Sequence, residues 1–126
     1  MDPGESPTAT RRKHSMDLAF ERHTQQGWTI LSVAGELDLH TSPQLAEALA
    51  TAMDAGTPWV AVDMQRVSFM DSSSLGVIVA SSERAREHGG GVAMACLQPA
   101  PMKVIALTGL DTVLTVVERV EDLPER

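Results

Sequence analysis

From residue 17 onward the apolar positions recur with a spacing that switches between two and about 3.6 residues, the periods of a strand and of a helix. Asp17-Leu18-Ala19-Phe20-Glu21-Arg22 alternates, Gln25-Gln26-Gly27 supplies a turn, and Trp28-Thr29-Ile30-Leu31-Ser32-Val33 reads as a second strand, which predicts an N-terminal β-hairpin. Thr41-Ser42-Pro43-Gln44 combines an N-cap hydroxyl with a proline in the first turn, opening a helix through Leu45, Leu49, Ala52 and Met53 to Gly56. The pattern then predicts a strand over 59–64, a helix over 73–88 and a strand over 92–97. A short helix over 101–108 closed by Gly109 and a last strand over 113–117 complete it. A hairpin followed by alternating strands and helices is an α/β arrangement of βαβ units on a largely parallel sheet.

One segment conflicts with its own propensity. Leu75-Gly76-Val77-Ile78-Val79 is rich in β-branched residues, yet Leu75, Ile78, Val79, Ser82 and Ala85 fall on one helical face, and Asp71 and Ser72 supply N-caps. Glu83-Arg84-Ala85-Arg86-Glu87 continues with good helix formers until Gly89-Gly90-Gly91 stops it, so helix is the reading. That glycine run follows a helix and precedes a strand, the reverse of a phosphate-cradling loop. Met53, Met64, Met94 and Met102 read as core filler.

Composition narrows the function. A chain of 126 residues with 43% hydrophobic content fits one domain with a modest core. A net charge of −7 argues against a direct nucleic-acid partner, and no apolar run is long enough for a membrane span. The single cysteine, Cys96, sits within Val92-Ala93-Met94-Ala95-Cys96-Leu97 and has no partner for an intrachain disulfide. Residues 1–15 lack an apolar leader core, so a cytoplasmic protein is expected. Their Pro, Gly, Ser and Thr content and the basic patch Arg11-Arg12-Lys13-His14 predict a disordered tail, solvated rather than a docking arm. The histidines His14, His23, His40 and His88 are scattered, and no metal or other cofactor is expected. A serine hydrolase would need a G-x-S-x-G elbow and a partner histidine, neither of which is present, so no catalytic residue is assigned.

The richest chemistry lies at Asp71-Ser72-Ser73-Ser74-Leu75-Gly76, where a strand passes into a helix. Small hydroxyls there sit beside backbone N–H groups that lack partners, and the positive end of the helix dipole tolerates a phosphate. The same serines also serve as plain helix caps. Asp38 either borders this site or only bonds its own turn, and Gly76 marks either the close approach of a partner or the avoidance of a clash within the fold.

These segments resemble a known family. Gly35-Glu36-Leu37-Asp38, Ser68-Phe69-Met70-Asp71-Ser72-Ser73 and Thr108-Gly109-Leu110, in that order across about residues 17–118, are similar to motifs of the anti-sigma factor antagonists. Their fold is the STAS domain, shared with the tails of sulfate transporters. The resemblance implies a STAS domain over residues 16–126, with a mixed, mostly parallel sheet and helices packed on one side. It implies no enzyme. It implies a protein that binds an ATP-dependent serine kinase, itself an anti-sigma factor, and thereby frees a sigma factor. Phosphorylation by that kinase at Ser72, with Ser73 ranked second, breaks the complex, and a metal-dependent serine phosphatase restores it. Asp38, His40, Thr41, Asp71, Ser72, Ser73, Ser74 and Gly76 are the implied partner-binding residues, on a monomer or weak dimer. The rival reading on the same fold is a scaffold subunit of a stress-sensing assembly, or an antagonist independent of phosphorylation.

Two departures from the family stand out. Ser74 replaces the glycine that usually follows the two hydroxyl residues, adding a side chain next to the acceptor, where it would alter partner fit. After Val117 only residues 118–126 remain, with Pro124 interrupting, so the family's final helix is expected to be truncated or frayed.

Overall fold

A computed structural model describes residues 17–126; the tail expected over 1–15 and its basic patch lie outside the described residues. The hairpin forms because Gln26 at φ 57° and Gly27 at φ 84° both take the left-handed conformation, giving a two-residue turn whose twist matches the strands it joins. It connects β1 (Ala19–Gln25) to β2 (Trp28–Leu37), antiparallel, with Gln25 opposite Trp28. The chain continues through α1 (Ser42–Ala55), β3 (Trp59–Met70), α2 (Ser72–Glu87), β4 (Gly91–Ala95), α3 (Pro99–Thr108) and β5 (Thr115–Val117). Short 3-10 turns occupy Leu110–Thr112 and Val120–Asp122. The five strands lie in the order β1-β2-β3-β4-β5, with β2 to β5 mutually parallel, so the sheet is mixed as expected.

The largest differences from the sequence reading are in β2 and β3, which extend to Leu37 and Met70 rather than stopping at 33 and 64. Their pairing shifts register between Ser32 and Ala34 and again between Gly35 and Glu36. Such bulges break the period-two pattern while the ladder continues, so alternation fails where pairing does not. β4 ends at Ala95 because Cys96 turns into the left-handed region at φ 64°. Burial and the nearby Asp63 carboxylate push the half-buried Cys96 thiol up. β5 begins at Thr115, since the Leu114 N–H is taken back to the Leu110 carbonyl at 2.8 Å. α3 starts at Pro99, where prolines suit a first turn that needs few N–H donors.

All three helices cover one face of the sheet. Leu31, Val33, Val60, Val62, Met64, Val92 and Met94 point into it and meet Leu45, Leu49 and Ala52 of α1, Leu75, Ile78 and Ala85 of α2, and Ile105 of α3. Burying each large side chain of this set stabilises the fold by about 1.5–3 kcal/mol. The segment Leu75-Gly76-Val77-Ile78-Val79 is helical, as capping and spacing indicated, because its apolar stripe has a core to face.

The opposite face holds a smaller cluster, Trp28, Ile30, Ala61 and Ala93, closed by Leu123. Of residues 118–126 only the 3-10 turn Val120–Asp122 is helical; the segment crosses this face and locks onto the hairpin turn. The Trp28 indole N–H donates to the Pro124 carbonyl at 2.7 Å, Gln26 Nε2 donates to the Leu123 carbonyl at 2.7 Å, and the Arg126 N–H donates to the Gln26 carbonyl at 2.9 Å. The Arg126 guanidinium lies 4.1 Å from the centre of the Trp59 ring, which packs edge-on against Trp28. Gly27 is required twice over: its φ is positive, and a Cβ there would fall on the Arg126 carbonyl.

Trp28 and Trp59 are the only tryptophans of the sequence, so their fluorescence reports this contact directly. Gly27→Ala should lower stability by more than about 1 kcal/mol in urea titration and shift tryptophan emission to the red. Unchanged emission would mean that the C-terminal segment does not cover the pair.

Candidate functional site

The candidate site forms at the carboxyl ends of β2 and β3, where two turns are held side by side. Leu37 pairs with Met70 at the end of the parallel ladder, and the Asp71 N–H donates to the Leu37 carbonyl at 3.0 Å. This bond, together with the Leu39 N–H at the Asp71 carboxylate, puts the β2–α1 turn, residues 38–41, against the start of α2.

Each turn is fixed by its own carboxylate. Asp38 Oδ1 accepts the Thr41 N–H at 2.9 Å, the Thr41 hydroxyl donates to the Glu36 carbonyl at 2.7 Å, and the Asp38 N–H donates to that hydroxyl at 3.1 Å. Thr41 is buried and makes no side-chain cap bond to α1, so its hydroxyl ties the turn together instead of capping the helix as the sequence suggested. Asp38 has the bonds of a turn residue, on a turn that the Leu37–Asp71 bond holds beside α2. His40 is exposed, and Leu39, 76% exposed, projects between it and Asp38.

At α2 the N-cap is Asp71, in extended conformation. Its Oδ1 accepts the Ser73 N–H at 3.0 Å, the Ser74 N–H at 3.3 Å and the Ser73 hydroxyl. Burial pushes the Asp71 carboxyl up, but the Ser73 hydroxyl and the N–H groups of Ser74, Ser73 and Leu39 outweigh it and hold the group below the usual carboxylate range. The N–H donors that the sequence left open for an anion are therefore already filled at Ser73 and Ser74. Ser72 is exposed, and its hydroxyl has no partner among the described residues. Ser73 is half-buried.

Two residues assigned to partner contact lie too deep for it. Ser74 is 0% exposed and its hydroxyl has no partner, and Thr41 is 1% exposed, so neither side chain is on the surface. The substitution of serine for the family glycine thus faces the core, not a partner. Gly76 is exposed, and a Cβ added there would meet nothing within 4 Å, so avoidance of a clash inside the fold is not its reason. Two apolar side chains at this end were missed as site residues: Leu39, and Phe69, which is 47% exposed and pairs with Glu36. The available signal was a leucine set between the polar turn residues Asp38 and His40, off either period. Among the described residues no group of three or more acidic, histidine or cysteine side chains is placed to hold a metal. No helix among them is long and apolar enough to cross a membrane.

Comparison with known proteins agrees with this geometry. The chain is 30% identical over 106 residues to the anti-sigma-B factor antagonist of Staphylococcus aureus (strain NCTC 8325 / PS 47), covering 84% of this chain and 98% of that protein. An anti-sigma factor antagonist from Mycobacterium paratuberculosis superposes with a TM-score of 0.73 at 28% identity, over 83% of this chain and 89% of that one. The anti-sigma factor antagonist SpoIIAA in its unphosphorylated form gives 0.66 at 25% identity, over 82% of this chain and 91% of that one. The phosphorylated form of the Bacillus protein SpoIIAA has the same fold, at 24% identity and a TM-score of 0.60, over 82% of this chain and 95% of that one. The first three are named for antagonism of an anti-sigma factor, a binding role and not a reaction. With residues 19–123 matching the STAS domain, on a sheet and helix arrangement shared with these antagonists, the chain belongs to the STAS domain family.

Proposed function

We propose that this protein is an anti-sigma factor antagonist whose unmodified form binds an ATP-dependent serine kinase that is also an anti-sigma factor, releasing a sigma factor. Phosphorylation of Ser72 by that kinase ends the interaction, and a metal-dependent serine phosphatase reverses it, all in the cytoplasm. The observation that carries this reading is the exposed hydroxyl of Ser72, without a partner among the described residues, at a junction that also holds the exposed Leu39 and Phe69 and the half-buried carboxylates of Asp38 and Asp71. Leu39 and Phe69 supply apolar contact area, while Asp38 and Asp71 fix the backbone on which the contact is presented.

Charge explains the switch. A phosphate adds about −1.5 to −2 charge beside the ionised Asp71, and any interface laid over it must strip water from both. Because Asp71 already takes the Ser73 and Ser74 N–H groups, the helix start offers the phosphate no free donor at those positions, and its charge stays at the surface. The Ser72 hydroxyl, exposed and without a partner among the described residues, favours this switch over an antagonist independent of phosphorylation, since a purely capping serine would have its oxygen on a backbone N–H.

Ser72→Ala should bind the kinase but take up no phosphate from labelled ATP, and continued labelling would move the acceptor elsewhere. Ser72→Asp should weaken kinase binding by about tenfold or more in calorimetry, with unchanged affinity counting against a charge mechanism. Gly76→Ala should raise stability by about 0.5–1 kcal/mol, because the helix gains propensity with no clash, yet weaken kinase binding several-fold. A stabilised variant with undiminished affinity would show that the partner's backbone does not approach there. Ser74→Ala, which removes a buried hydroxyl without a partner, should leave affinity unchanged while stability holds or rises by up to about 1 kcal/mol.

A further inference from the structure

Ser72, Ser73 and Ser74 follow one another at the start of α2, and each step of roughly 100° along a helix turns the next side chain into different surroundings. The Ser72 hydroxyl is exposed and unpartnered among the described residues, the Ser73 hydroxyl donates to Asp71, and the Ser74 hydroxyl is buried. Burial alone removes Ser74 from competition for phosphate. Nothing in the chemistry of serine separates Ser72 from Ser73, and both are at least partly reachable from solvent.

We propose that Asp71 is the positioning residue that directs phosphoryl transfer to Ser72, by holding the hydroxyl of Ser73 out of the reaction. The inference rests on the reading of this junction as a kinase substrate. In the transfer, Ser72 Oγ forms a new O–P bond to the γ-phosphorus of ATP. The bond from that phosphorus to the β,γ-bridging oxygen breaks, ADP leaves with its electron pair, and the hydroxyl proton passes to a base of the kinase. Ser73 enters the same step only if its O–H first leaves Asp71, and the kinase base must then compete with a carboxylate already in place. Asp71 does not itself serve as that base. The hydroxyl and N–H donors converging on it hold its carboxyl low, so it keeps its negative charge and accepts hydrogen bonds without taking the proton.

Capping and selection are separable functions of this one side chain. The two backbone bonds, from Ser73 and Ser74, satisfy the helix start by themselves; the bond from the Ser73 hydroxyl adds nothing to the cap. Asparagine preserves an acceptor oxygen for all three donors. Glycine is tolerated at an N-cap with little loss of helix stability and offers no side-chain acceptor, and alanine removes both functions.

The test uses the full chain as wild type, Asp71→Asn, Asp71→Gly and Asp71→Ala, each checked for folding by circular dichroism. The proteins are incubated with γ-labelled ATP and an extract of the organism's own cells as kinase source, and the phosphate is located by site-resolved mass spectrometry. Wild type and Asp71→Asn should carry phosphate at Ser72 alone, whereas Asp71→Gly should place at least about a tenth of its phosphate on Ser73, a preference relaxed to tenfold or less. Asp71→Ala should do the same if it folds, and the glycine variant decides the matter if it does not. Phosphate confined to Ser72 in folded Asp71→Gly overturns the role of Asp71 while leaving the switch intact. Absence of phosphate from the wild type overturns the kinase-substrate reading and this inference with it.

Discussion

The hydrogen bond from the Asp71 N–H to the Leu37 carbonyl is the joint on which the candidate site depends. It extends the parallel pairing of β2 and β3 one step past Met70, into residues that belong to no strand. With the Leu39 N–H at the Asp71 carboxylate, it ties the turns that carry Asp38 and Ser72 together. With it, the start of α2 is referred to the buried terminal pair Leu37 and Met70, and Asp71 is oriented to collect the first N–H groups of the helix. Its carboxylate takes the Ser73 and Ser74 N–H groups, and the neighbouring Ser72 hydroxyl has no partner among the described residues.

The two ends of the sheet divide the labour. At the carboxyl ends of β2 and β3, polar turns present Asp38, His40 and Ser72 together with the exposed Leu39 and Phe69. At the opposite end, Trp28 and Trp59 are closed in by Leu123, Pro124 and Arg126, with the hairpin turn shaped to receive them. Residues 118–126, helical only in the 3-10 turn Val120–Asp122, cover the face that the three helices leave bare. Its contacts are backbone carbonyls, one cation over an aromatic ring, and one leucine. The clamp and the candidate site are thereby placed at opposite ends of the sheet, so a charge added at Ser72 would lie well removed from the clamp.

Part of this was legible in the sequence. The hairpin, the order of strands and helices, and the helical state of the segment from Leu75 to Val79 follow from period and capping, because local backbone preference and the side chosen by apolar residues agree there. Asp71 and Ser72 were found for the same reason: a carboxylate and a hydroxyl just before an apolar helical stripe mark a helix start whatever the rest of the chain does. The sequence also determines the charge and the single cysteine.

Tertiary structure alone decided the rest. Alternation predicts strands only while register is regular, so the bulges in β2 hid the last residues of β2 and β3, the very residues that carry the site. The three serines are identical in sequence; which is exposed, which is held by Asp71 and which is buried depends on how α2 is rotated against the core. Thr41 reads as a cap, but the fold offers its hydroxyl the Glu36 carbonyl, a partner five residues back that no local pattern reveals. Gly76 is free of internal contact only because of where its face of α2 points. Local chemistry names the groups; the packing of α2 on the sheet determines which of them reaches the surface.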